Sequence, residues 1–134
     1  MMYVDRVLET CIYADDLAAV ETFYSEVLGL TAFSRVEGRH VFFRCGQAVF
    51  LIFNPARTVV AEGAIPVPVH GTRGESHVAF AMQPDEIDAW QEHLAQHGVE
   101  IETEIAWPSG GYSLYFRDPA GNSVELATPQ TWGV

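Results

Sequence analysis

Residues 14–30 read ADDLAAVETFYSEVLGL, and residues 84–99 read PDEIDAWQEHLAQHGV. In the first stretch Leu17, Val20, Phe23, Tyr24, Val27 and Leu28 recur at the three- and four-residue spacing of one helix face. Asp15 or Asp16 caps its start, and Gly29 follows its last periodic residue, where a left-handed conformation is usually required. In the second, Ile87, Trp90 and Leu94 make the apolar face, with Pro84 near the first turn and Gly98 just past the last. Each helix sits in the same surroundings. Strand-like alternation runs from Val4 to Tyr13 before the first and through ESHVAFAM before the second. Three short strands follow each: Thr31 to Glu37, His40 to Cys45 and Gln47 to Phe53, then Glu100 to Ile105, Gly111 to Arg117 and Ser123 to Thr128. Cys45 and Gly46 make the tight connection inside the first set. Glu9 falls on His77, Asp16 on Asp85, Gly29 on Gly98 and Leu30 on Val99, an internal repeat offset by 68 or 69 residues.

The repeat sets the fold class as α+β, two βαβββ modules within one domain spanning 1–134. Residues 1–54 form the first module and 75–134 the second. Residues 55–74, rich in Pro and Gly, link them. A four-stranded sheet with one helix leaves its other face to be covered, so the expected architecture is an incomplete barrel around a cleft.

The remaining composition narrows the function classes. A chain of 134 residues buries enough surface for a self-sufficient core. No run of 18 apolar residues is present, so no spanning helix and no membrane partner are expected. The N-terminus, MMYVDRVLET, lacks the pattern of a signal peptide, and with only Cys11 and Cys45 as cysteines the expected compartment is the cytoplasm. Net charge is −11 and all seven basic residues are Arg, a field that repels a phosphate backbone and argues against nucleic acid. Cations and metal ions are favoured instead.

Strand alternation places Glu9, Cys11 and Tyr13 on one face, with Ile12 toward the helix. It likewise sets His77 beside Ala79 and Ala81, and Glu125 beside Ser123 and Ala127, away from Val124 and Leu126. Each of these polar residues therefore falls on the cleft side. Two carboxylates and an imidazole converging there would repel or take up protons unless a divalent cation joined them.

With ADDLAAVETFYSEVLGL in the first module, and HVAF and YFRDPAGNSVEL in the second, the chain resembles the vicinal oxygen chelate superfamily. Its members include glyoxalase I, extradiol dioxygenases, fosfomycin-resistance transferases and bleomycin-binding proteins. The resemblance implies a metal site with ligands at the start of each half and on each half's last strand. Glu9, His77 and Glu125 match three of those four positions, and VFLIF (49–53) offers no ligand at the fourth. One nitrogen and two carboxylates suit Mn²⁺, Fe²⁺, Ni²⁺ or Mg²⁺, with Zn²⁺ as a further choice. Positions left open imply catalysis, the ion acting as a Lewis acid on two neighbouring substrate oxygens.

Further candidates are Glu9 and His70 as acid–base residues, and Cys11, Tyr13, Arg44, Trp107, Ser113 and Tyr115 as substrate contacts; Arg39 is a second cation. RDPAGN (117–122) reads as a structural turn, with Gly121 and Asn122 tolerating positive φ. Glyoxalase I in the family uses all four ligands, extradiol enzymes two histidines with one carboxylate, and fosfomycin transferases a nearby basic residue where this chain has Ile105 and Trp107. The expectation is thus a metal-dependent glyoxalase-like enzyme acting on a small oxygenated molecule, by lyase, isomerase, dioxygenase or thiol-transferase chemistry. The alternative is a metal-free protein of the bleomycin-resistance type that sequesters a cationic drug. The family also implies a homodimer, with the site formed within one chain or between two.

Overall fold

The computed structural model describes residues 1–134. They form two compact units, residues 1–73 and 74–134. In the first unit, strand β1 (Glu9–Tyr13) leads into helix α1 (Leu17–Glu26), followed by β2 (Thr31–Val36), β3 (His40–Cys45) and β4 (Ala48–Phe53). The sheet order is β1-β4-β3-β2, with β1 parallel to β4 and the other pairs antiparallel. Its second unit repeats the pattern with β5 (His77–Ala81), helix α3 (Ile87–Gln96), β6 (Thr103–Ala106), β7 (Tyr112–Arg117) and β8 (Ser123–Ala127), ordered β5-β8-β7-β6. Both sheets are open.

Alternation along the strands explains the layering. Ile12, Val41, Phe43, Phe50 and Ile52 are buried on one face of the first sheet, and α1 contributes Val20 and Tyr24. Tyr24 is fully buried and meets Phe50 edge-on at 5.1 Å. In the second unit Leu114, Phe116, Val124, Leu126 and, from α3, Leu94 are buried. A fully buried side chain of this size contributes roughly 1.5–3 kcal/mol.

The helix ends follow the local sequence. Asp16 caps α1, its carboxylate accepting from the Ala19 amide at 3.1 Å. Gly29 and Gly98 close the two helices at φ 70° and 69°, a conformation that costs a residue with a Cβ roughly 1–2 kcal/mol.

Three sequence expectations need adjusting. The first strand begins at Glu9, not Val4, because its partner β4 begins at Ala48 and pairing starts at Glu9 opposite Val49. The segment 55–74 contains α2, one helical turn over Pro55–Thr58 capped by Asn54, and the Arg57 guanidinium closes a pair of hydrogen bonds on Glu62. Gly121 takes positive φ but Asn122 does not. Asn122 is fully buried, and its side chain accepts from the Ser76 amide and hydroxyl, both at 2.9 Å, while donating to Asp118. That brace holds the residues preceding β5 and β8 side by side.

Candidate functional site

The Asn122 brace sets the start of β5 against the start of β8, so His77 pairs with Ser123 and Ala79 with Glu125. From these positions the His77 imidazole and the Glu125 carboxylate meet, Nε2 lying 3.3 Å from Oε1. His77 Nδ1 lies 3.1 Å from the Ser123 carbonyl oxygen. A carbonyl only accepts, so Nδ1 is a donor and Nε2 is the ring atom that faces the carboxylate. At this distance either a proton on Nε2 or a cation between the two groups completes the contact. A backbone carbonyl fixing the far nitrogen is also the usual support of a metal-ligating histidine.

Glu125 is buried and held from behind. Its Oε2 accepts from the Ser113 hydroxyl at 2.5 Å, and that hydroxyl accepts from the Trp107 indole N–H at 2.8 Å. Ser113 has no exposed surface. Its expected role as a substrate contact therefore gives way to orienting Glu125, and the Trp107 indole N–H is spent on Ser113. Tyr115, opposite Glu125 on β7, stacks near His77 at 6.3 Å between ring centroids. Burial raises its phenol pKa, as do the Glu125 charge and hydrogen bond, while the Ser113 hydrogen bond pulls the other way. The phenol stays protonated at neutral pH.

The first unit has the same register with different residues. Glu9 stands where His77 stands, and Leu51, opposite Cys11, stands where Glu125 faces Ala79. The position that the resemblance gives to a fourth ligand is thus apolar. Glu9 is exposed and carries no ion pair, so pairing with Arg6 does not occupy it. Nearby, the Tyr13 hydroxyl and His70 Nδ1 are 2.6 Å apart, and the Cys11 thiol donates to Tyr13 at 3.9 Å. Burial, then Cys11, raises the Tyr13 pKa. Arg44 stacks its guanidinium on Phe33 at 4.0 Å, outside both clusters.

Of the three expected ligands, His77 and Glu125 come together. No group of three His, Cys, Asp or Glu side chains able to hold a metal forms in the single chain. A cavity of about 760 Å³ in the first unit is lined by Glu9 and His70, as expected of the cleft face, and also by His40 and Phe42, which the sequence reading did not place there. Their signal was present in the alternation of His40 and Phe42 against Val41 and Phe43 along β3.

Comparison with known proteins agrees with this architecture. A crystal structure described as lactoylglutathione lyase from Agrobacterium tumefaciens superposes with a TM-score of 0.93 at 39% identity, covering 98% of each chain. A protein described as glutathione transferase FosA from Serratia marcescens is 31% identical over 112 residues, 83% of this chain and 72% of its own. The uncharacterized protein YaeR of Escherichia coli K12 is 31% identical over 137 residues, 94% of this chain and 98% of its own. Residues 5–126 match the family model for the same fold, and the chain belongs to the Glyoxalase/Bleomycin resistance protein/Dioxygenase superfamily.

Proposed function

We propose that this protein is a metal-dependent enzyme of the vicinal oxygen chelate type, holding one divalent ion with His77 and Glu125 of one chain and Glu9 of a second copy. The observation that carries the reading is the close approach of His77 Nε2 to Glu125 Oε1, 3.3 Å apart, with each side chain fixed from behind by a hydrogen bond. The donor set of one imidazole and two carboxylates fits Mn²⁺, Fe²⁺, Ni²⁺, Mg²⁺ or Zn²⁺. When bound, such an ion supplies Lewis-acid polarisation to two neighbouring oxygens of a small substrate.

The chain's own residues do the rest. Ser113 and Trp107 orient Glu125, the Ser123 carbonyl fixes the His77 tautomer, and Tyr115 presents a protonated phenol beside Glu125. Glu9, and His70 through its bond to Tyr13, are the acid–base candidates. The names of two relatives, a lactoylglutathione lyase and a glutathione transferase, favour a thiol-adduct substrate. Leu51 at the fourth position favours a three-ligand site. Self-association is supported by exposed apolar side chains just before Glu9, Val4, Val7 and Leu8 among them.

Elemental analysis of protein purified without chelators tests the reading: about one divalent ion per chain is expected, lost in Glu125→Gln. His93 in the last turn of α3 and His97 at its C-cap have ring centroids 4.3 Å apart, a histidine pair of the kind that can collect transition metals. The difference between wild type and variant, not the total, is therefore the readout. No ion lost with Glu125 contradicts the proposal and favours sequestration of a cationic ligand. A panel of α-ketoaldehyde–thiol adducts, diols and catechols then assigns the reaction.

A further inference from the structure

Helix α3 ends on two histidines. His93 lies in its last turn and His97 is its C-cap, four residues on, so the two rings are neighbours on one side of the helix. Their centroids are 4.3 Å apart, with the planes tilted by 46°. The His93 carbonyl oxygen accepts from the His97 amide at 3.1 Å and lies 2.9 Å from His97 Nδ1. A carbonyl only accepts, so Nδ1 is the donor, and Nε2 is the nitrogen that His97 keeps for another partner. Trp90 meets His93 edge-on at 5.5 Å, and with Glu86 and Ala89 these two residues border a cavity of about 270 Å³.

Geometry and charge both favour a cation here. An ion about 2 Å from a ring nitrogen sits about 3.2 Å from that ring's centre, so centroids 4.3 Å apart subtend about 85° at it. That is close to the angle between neighbouring positions of a square-planar or octahedral ion. The last carbonyls of a helix carry partial negative charge, which stabilises a positive ion beside them. No Lys or Arg occurs between Arg73 and Arg117, and Asp88 and Glu92 add negative charge to the same helix.

We propose that His93 and His97 form a second metal site, which takes a nitrogen-preferring ion of the Ni²⁺ or Cu²⁺ type and leaves its other positions to water. Helix ends fray, and an ion that ties the C-cap to the last turn holds the end of α3 closed. Selectivity separates this site from the one built on His77, Glu125 and Glu9. Two imidazoles without a carboxylate offer Mg²⁺ and Mn²⁺ none of the oxygen ligands that suit them. The pair lies within residues 74–134 of one chain and requires no second copy.

Chelator-stripped Glu125→Gln chains, in which the other site is expected to be silent, are titrated with Ni²⁺ by calorimetry at pH 7. About one ion per chain is expected. Adding either His93→Gln or His97→Gln, each checked for folding by circular dichroism, should weaken binding at least about tenfold, the lower bound for losing even a supporting partner of a ligand. Mg²⁺ should not bind. Indole emission should fall as Ni²⁺ binds, because Trp90 stands against His93, and Trp90→Phe should remove that fall. No Ni²⁺ bound by the Glu125→Gln chain, or an affinity unmoved by either histidine change, overturns the proposal. Wild type against Glu125→Gln reads the site proposed above and the histidine variants read this one, so each can fail without the other.

Discussion

Ser113 donates to one oxygen of Glu125, accepts from the Trp107 indole, and reaches no solvent. Removing its hydroxyl leaves both neighbours short of a partner, and outer partners of this kind typically tune metal affinity 10- to 100-fold. Ser113→Ala is expected to weaken Mn²⁺ binding about tenfold by titration, and Ser113→Thr to restore it. Unchanged affinity in the alanine variant would mean that the hydroxyl only fills space.

His40 makes a prediction of a different kind, since burial, and then the Arg39 charge, hold its folded-state pKa below its ordinary value of 6.5. Above that pH both folded and unfolded chains carry the ring neutral. As pH falls through 6.5 the unfolded chain takes up a proton first, and stability is lost until the folded-state pKa is reached. The melting temperature should therefore fall more steeply below pH 6.5 in wild type than in His40→Gln; parallel curves would contradict this account. The sequence made Glu125 legible as an acid on an alternating strand, but alternation gives a face, not a partner. Whether Ser113 meets a ligand or Glu125 depends on the β7–β8 register, which only pairing reveals.

At the scale of elements, the turn between β7 and β8 carries more than a change of direction. Asn122 joins it to the residue before His77 through two hydrogen bonds accepted from Ser76, and Asp118 accepts from the amides of Ala120 and Asn122. Asn122→Ala removes the acceptor of two part-buried Ser76 donors and a donor to the buried Asp118 carboxylate, and a loss of about 2–3 kcal/mol in denaturant unfolding is expected. A loss below about 0.5 kcal/mol, the ordinary surface effect, would deny the brace.

Helix positions were readable because apolar spacing, Asp16 and the paired glycines all agree. Strand ends were not, because a strand lasts only as long as its neighbour. Val4–Leu8 alternates well but precedes the first residue that β4 can pair. Glu100 and Ile101 likewise precede β6, whose pairing with β7 begins at Thr103 opposite Tyr115.

For the whole molecule, the repeat was visible from two helices and their glycines, and the second copy of each element followed. What one chain's sequence does not encode is how many copies build a site. His77 and Glu125 lie on neighbouring parallel strands, so one sheet brings them together; Glu9 belongs to the other repeat, and no three-ligand group forms in the single chain. Exposed apolar residues at Val4, Val7 and Leu8, with Val67 and Val69, are consistent with a face covered by another copy. A dimer is expected by sedimentation, with exposure of these side chains reduced in it.

The most direct measurement mixes two inactive partners. Glu9→Gln and Glu125→Gln chains, each expected to hold no ion alone, are unfolded together, refolded and dialysed against Mn²⁺. If Glu9 serves the site of the other copy, half of the dimers are mixed and each regains one intact site, giving about a quarter of an ion per chain. A mixture that binds no more Mn²⁺ than either variant alone contradicts a site shared between copies and built on these three residues.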